Sequence, residues 1–421
     1  MTDTAPAHHD TTGPAPEPRR RSRRGLAATL ALMGPSFIAG AWQFGPGNLA
    51  SAVQAGSAHG YTLIWVIVVS TLLMIVFTDM SVRLAIVSPG SLVETIKGRL
   101  GRPVGAAAGV GIFLITLCFS VGNAVGSGLG FSMLFGGSPT AWTIGCTVVV
   151  AAVAWAPNYY RLLERAVLAL VVLMGVGFVL GAFLSRPDWV AAADGLFPTV
   201  PSDAGLLIVA LVGTNFSINA AFFTGYASRE RGLQAKDYRT STIADTVPGI
   251  VAPGIMTALV IVAAAAALQN TGTGAASFPE LANVLRPVAG DLGTTLFALG
   301  FSAAAFSSMV ANATAGGTLL SDGFGLGNTM DQRSVKAGML IVLGFGLAVT
   351  SISSGSPVEL IITAQALTVI VAPLLGLLLF VMATRRDVMG RFVNRWWQNV
   401  LGVLGLVAIF ALCLRLLTII I

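Results

Sequence analysis

The polar chemistry of this chain is concentrated in two short breaks within long apolar runs, Gly45-Pro46-Gly47-Asn48 and Gly213-Thr214-Asn215-Phe216-Ser217-Ile218-Asn219. Pro46 has no N–H to donate and the glycines beside it permit non-helical dihedrals, so the Gly45 carbonyl can turn inward beside the Asn48 amide. The second break has no proline; Thr214, Asn215, Ser217 and Asn219 supply it with hydroxyls and amides. In a bilayer, freed backbone groups have to be satisfied internally, so such breaks line buried cavities. Two of them in corresponding positions mark the binding site of a transporter. Gln365, a lone amide in the tenth apolar run, extends the set. Carbonyl, amide and hydroxyl oxygens can coordinate a hard cation or hydrogen-bond a polar solute. Hydrogen bonding between helices is the competing reading, strongest for the second break.

Three other polar groups are assigned mainly to structure. Ser120, Asn123 and Ser127 follow i, i+3, i+7 spacing, and Ser308 and Asn312 are one turn apart. Interhelical hydrogen bonds are the expected role of both sets, with a polar pathway through Ser120, Asn123, Ser308 and Asn312 as the functional alternative. Gly122, Gly126 and Gly130 form a small-residue stripe suited to close packing. Asp79 and Arg83, at i and i+4, are expected to form an ion pair on one helix face. His8, His9 and His59 fall in solvated positions, and the three cysteines, Cys118, Cys146 and Cys413, sit in apolar runs without zinc-like spacing. No nucleophile, base and orienter set, phosphate loop or HExxH pattern is present, so the expectation is no enzyme and no cofactor.

The elements that must hold these residues are membrane helices. Of 421 residues, 55% are hydrophobic and only 10% charged, against roughly a quarter charged in soluble proteins. Mean hydropathy is +0.82. The pattern predicts an all-α polytopic membrane protein. Residues 1–24 read as a disordered basic tail. Eleven apolar spans follow in a transmembrane domain over 25–421: 26–57 (broken), 61–87, 104–135, 140–156, 162–184, 203–226 (broken), 245–268, 289–320, 335–351, 358–383 and 396–420. The formal charge of +6 is scattered between spans instead of forming a nucleic-acid face. With the N-terminus cytoplasmic and the C-terminus extracellular, the tail arginines fall inside, together with Lys97, Arg161, Arg229, Arg333, Arg385 and their loop neighbours. Only Arg186 and Arg286 are loop cations on the outer side. A twin-arginine signal at Ser22-Arg23-Arg24 with cleavage near Ala39-Gly40-Ala41 is the rival reading, and it would destroy this consistency.

Several motifs then occur in a particular order: Gly34-Pro35 and Gly45-Pro46-Gly47-Asn48, Val121 to Phe135 ending in Leu134-Phe135-Gly136, Leu162-Leu163-Glu164-Arg165, Ala315-Gly316, Gln365, and Met389-Gly390. On these the chain resembles the NRAMP family of divalent-metal transporters over nearly its whole length after the tail. The resemblance implies a LeuT-type inverted repeat of five plus five helices with an eleventh appended. Repeat one would cover about 26–184, repeat two about 203–383, and helix 11 about 396–420. Gly45 stands where the family has a metal-binding aspartate, while Asn48 is kept. Ser217, Ile218 and Asn219 stand in place of Met-Pro-His, and Thr214 in place of an alanine whose carbonyl binds metal. Ser120 and Asn123 stand in place of an acidic pair, and Thr224 in place of a second histidine; Gln365 is retained.

Without the carboxylate, a divalent ion is attracted by neutral dipoles alone, and without the sulfur the preference for soft metals is lost. The expectation is a secondary transporter at the cell membrane for a hard or hydrated divalent cation of the Mg²⁺ or Mn²⁺ class, without the family's usual proton coupling. Its expected ligands are Asn48, the Gly45 carbonyl, Thr214, Ser217 and Gln365, with Asn215 and Asn219 as further candidates. The alternatives are transport of a small neutral or zwitterionic organic solute, and a membrane sensor that holds a ligand without moving it.

Overall fold

The computed structural model describes residues 43–155, 157–269, 277–286 and 290–421. The expected tail, Gly34-Pro35 and the first half of span 1 lie outside the described residues, as do the side chains of the Leu162-Leu163-Glu164-Arg165 motif.

The described chain is helical throughout, and its helices follow the predicted spans. The first break becomes the start of α1 (Pro46–His59), with Gly45 as extended N-cap and Pro46 in the first turn, where its missing N–H costs nothing. Next come α2 (Ile64–Val87), the short α3 (Leu92–Leu100), α4 (Arg102–Phe135), α5 (Pro139–Trp155) and α6 (Pro157–Leu184). Ser91 and Glu94 close a capping box at the start of α3, which fixes where the chain turns after α2.

The second break separates α7 (Gly205–Asn215) from α8 (Ile218–Glu230). Phe216 and Ser217 leave helical geometry there, with ψ of 72° and 85°. The series continues with α9 (Val247–Leu268), α10 (Asp291–Gly323) and α11 (Arg333–Ile352). Span 10, expected to be continuous, is instead divided into α12 (Pro357–Leu367), a 3-10 turn over Thr368–Ile370, and α13 (Ala372–Thr384), with a bend of 40°. Pro373 explains the break, since it cannot donate to the preceding turn. The last helix is α14 (Trp396–Ile420).

Seven described segments are long and apolar enough to cross a bilayer as single helices, with α7 and α8 together counting as one, and the bent α12–α13 pair adds an eighth. Helices α1, α5 and α6 complete the expected order. The center of the bundle is the pairing of α4 with α10. Gly109 lies against the Leu319 carbonyl and Gly323, and Gly130 against Ser302, so the backbones approach where a Cβ would collide. On the outside, α14 exposes Val400, Leu404, Val407 and Leu414, as a lipid-facing helix should, with Trp396 and Trp397 at its first turn.

Asp79 and Arg83 form the expected ion pair at 2.8 Å, with Arg83 3% exposed. Arg83 also donates to the Phe392 carbonyl and Asn394, while Tyr238 and Gln398 donate to Asp79. The pair therefore ties α2 to the start of α14 and the segment before it. Breaking it from one side strands a buried charge, typically at a cost of about 3–5 kcal/mol. Arg83→Met is accordingly expected to lower the melting temperature in detergent sharply. The double substitution Asp79→Asn with Arg83→Met should recover part of the loss, and a thermal shift assay on both variants checks this.

Candidate functional site

The first break is held open by small residues. Pro46 packs on Gly126, where a Cβ would come within 2.6 Å of its ring. The Gln365 head lies between Gly47 and Gly122: a Cβ at Gly47 would sit 2.4 Å from its amide carbon, and one at Gly122 would sit 2.6 Å from Nε2. The glycine stripe thus receives Gln365, Pro46 and Ser302 in turn. Gln365 is 0% exposed, and neither Oε1 nor Nε2 has a hydrogen-bond partner among the described residues. The neighboring Asn123, on α4, has an unpartnered Nδ2 as well.

At the start of α1 the Gly45 carbonyl accepts from the Leu49 N–H at 3.1 Å, which leaves one lone pair free. Asn48 is buried, and its Oδ1 accepts from the Thr257 hydroxyl of α9 at 2.7 Å. In the second break, Ser217 donates to Asn219 Oδ1 at 2.7 Å, and Asn219 Nδ2 is buried without a partner. Beside it is a cavity of about 10 Å³, lined by Gly213, Asn219 and Thr368 among apolar neighbors. Gly213 faces the Gln365 carbonyl, where a Cβ would come within 2.5 Å, so α7 and α12 cross closely here. Four separate parts of the chain (α1, α4, the α7–α8 break and α12) therefore converge around Gln365.

The expected ligands Asn215 and Thr214, and several other polar residues singled out in the sequence, are engaged elsewhere. Asn215 turns its amide to α2, donating to the Ile67 carbonyl, Ser70 and Thr71. Thr214, Ser120 and Thr224 return their hydroxyls to their own helices, at Leu211, Leu117 and Ala220. Asn312 donates to the Thr116 carbonyl at 2.7 Å, the interhelical bond expected of it, and its Oδ1 is left unpartnered. Ser308 is buried on the same helix.

Buried carboxylates lie toward the helix ends instead of at the site. Beyond Asp79, sequence reasoning missed Asp245 and Asp322, because both fall at the ends of apolar spans. Asp322 accepts from Ser91 and Tyr226, and Lys97 Nζ lies 3.6 Å from its Oδ1. Arg229 donates to the carbonyls of Ser88 and Pro89. These bonds close the end of the bundle where α3, α8 and α10 meet. Among the described residues, no group of three or more His, Cys, Asp or Glu is placed to hold a metal. Among the described residues, the polar side chains at the two breaks are neutral amides and hydroxyls.

The model of the natural resistance-associated macrophage protein-like family matches residues 36–418. The chain belongs to the Nramp family. A divalent metal cation transporter MntH of Pectobacterium carotovorum is 26% identical over 401 residues, covering 94% of this chain and 96% of its own. A crystal structure of the Eremococcus coleocola manganese transporter superposes with a TM-score of 0.76 at 20% identity, over 96% of this chain and 88% of that one. MhsT in complex with L-phenylalanine has a TM-score of 0.59 at 16% identity, over 90% and 98% of the two chains. The protein is thus a multi-pass membrane transporter with the inverted-repeat LeuT-type fold.

In this Nramp protein, the buried and unpartnered Gln365 amide carries a stability cost. A buried amide without partners costs about 1–3 kcal/mol relative to an apolar side chain of similar size. Gln365→Leu is expected to raise the melting temperature while abolishing substrate uptake. A fall in melting temperature would show that the amide is satisfied in the resting protein.

Proposed function

We propose that the protein moves a divalent cation of the hard, partly hydrated class, Mg²⁺ or Mn²⁺, by alternating access around Gln365. The wholly buried, unpartnered Gln365 amide carries the reading, because a polar group in that state calls for a ligand. The proposed ligands are Gln365, Asn48, the Gly45 carbonyl and Asn219, with Thr214 and Ser217 lining the break; Asn215 is assigned to anchoring α7 on α2. The names of the relatives, a divalent metal cation transporter and a manganese transporter, support the cation class.

Electrostatics narrows the class. Removing all water from a divalent ion is too costly in a cavity that offers only dipoles. An ion that keeps several waters and takes a few protein oxygens fits such a site. With Gly45, Ser120, Asn123, Asn219 and Thr224 in place of titratable groups, the site has no group that exchanges a proton near neutral pH. Transport is therefore assigned no proton coupling through the site. The distribution of Lys and Arg supports a cytoplasmic N-terminus and an extracellular C-terminus, and family membership supports repeats over about 26–184 and 203–383.

Proteoliposomes containing only this protein are expected to take up Mn²⁺ or Mg²⁺ saturably, with no acidification of the lumen. Asn48→Ala and Gln365→Ala should each abolish uptake while leaving the protein folded. Binding without uptake would favor a sensor, and uptake accompanied by acidification would place a proton route elsewhere in the chain.

A further inference from the structure

Thr257 is fully buried on α9 and carries the one described side-chain bond to Asn48. Its hydroxyl lies 2.7 Å from Asn48 Oδ1 and 2.8 Å from the Pro253 carbonyl one turn back. A hydroxyl has one proton, so it serves one of these acceptors at a time, while its oxygen can accept from a third group. The bond from Thr257 occupies the Asn48 amide oxygen that a cation would need, which leaves Nδ2 on the other side.

Reversing the amide about χ2 would exchange the roles and keep the hydrogen bond to Thr257. Asn48 Nδ2 would donate to Thr257 Oγ1, the Thr257 proton would turn to the Pro253 carbonyl, and Asn48 Oδ1 would be free for the ion. No proton leaves either residue. The supporting helix is firmly placed: Gly56 of α1 faces the Ile261 carbonyl of α9, where a Cβ would come within 2.4 Å. Thr257 therefore stays opposite Asn48.

We propose that Thr257 is the positioning residue of the cation site, holding the Asn48 amide by a hydrogen bond in either orientation and so letting it present oxygen to the ion. The inference rests on the reading of Asn48 as a ligand. Valine has the shape of threonine but neither donates nor accepts, whereas serine keeps the hydroxyl.

The test is the concentration dependence of Mn²⁺ uptake by proteoliposomes of Thr257→Val, Thr257→Ser and Asn48→Ala, with melting temperatures in detergent. Thr257→Val is expected to raise KM about tenfold, the loss of about one net hydrogen bond, with Vmax close to that of the parent and a lower melting temperature because the buried Asn48 amide loses its partner. Thr257→Ser should stay within about twofold in KM. An unaltered KM for Thr257→Val, or equal damage from serine and valine, overturns the proposal while the loss of uptake in Asn48→Ala keeps the site. Undiminished uptake by Asn48→Ala overturns the site and the proposal together. Should the valine variant not fold, Thr257→Ala against Thr257→Ser carries the same comparison.

Discussion

The candidate site is arranged around an energetic liability, a carboxamide buried within a membrane bundle with no hydrogen-bond partner among the described residues. Gln365 can be there only because Gly47 and Gly122 leave room for its head and Gly213 lets α7 approach its carbonyl. Leaving such a group unpaired is costly, and the other helices of the site are discontinuous around it. The start of α1, the α7–α8 break and the bend between α12 and α13 all remove regular hydrogen bonding near the same place. In a bilayer such an arrangement is tolerated where it is buried in protein or lines a water-filled cavity.

Charge distribution completes the logic. The buried carboxylates Asp79 and Asp322 are committed to networks that fasten helix ends. Among the described residues, the polar side chains at the two breaks, Asn48, Thr214, Ser217 and Asn219, and the Gln365 amide beside them are neutral amides and hydroxyls. Attraction of a cation must then be shared among several weak dipoles and retained water. Helix α8 has Ser217 and Asn219 at one end and Tyr226 and Arg229 toward the other, so a single rigid element links the site to the closed end of the bundle.

Much of this was legible in the chain before its structure. Glycine and proline break helices by local backbone chemistry, so the α1 break and the glycine stripe were visible, and a lone Gln in an apolar run stood out by cost alone. Loop cations pointed to the span order because the rule that governs them is insensitive to packing. What was missed depends on direction, which periodicity does not encode. Asn215 and Asn219 are four residues apart, yet one turns to α2 and the other to the cavity because the chain leaves helical geometry between them. Asp322 was hidden at a span end, Thr257 in an apolar run as an ordinary small residue, and the bend of span 10 by an otherwise unbroken apolar sequence around Pro373.

The central claim, a cation site built from neutral oxygen, is tested most directly by the anomalous scattering of Mn²⁺ in crystals of the protein. The account predicts a peak beside Gln365 and Asn48, with coordinated waters completing its shell. A map with no peak there and manganese bound at Asp322 or Asp79 instead would contradict it.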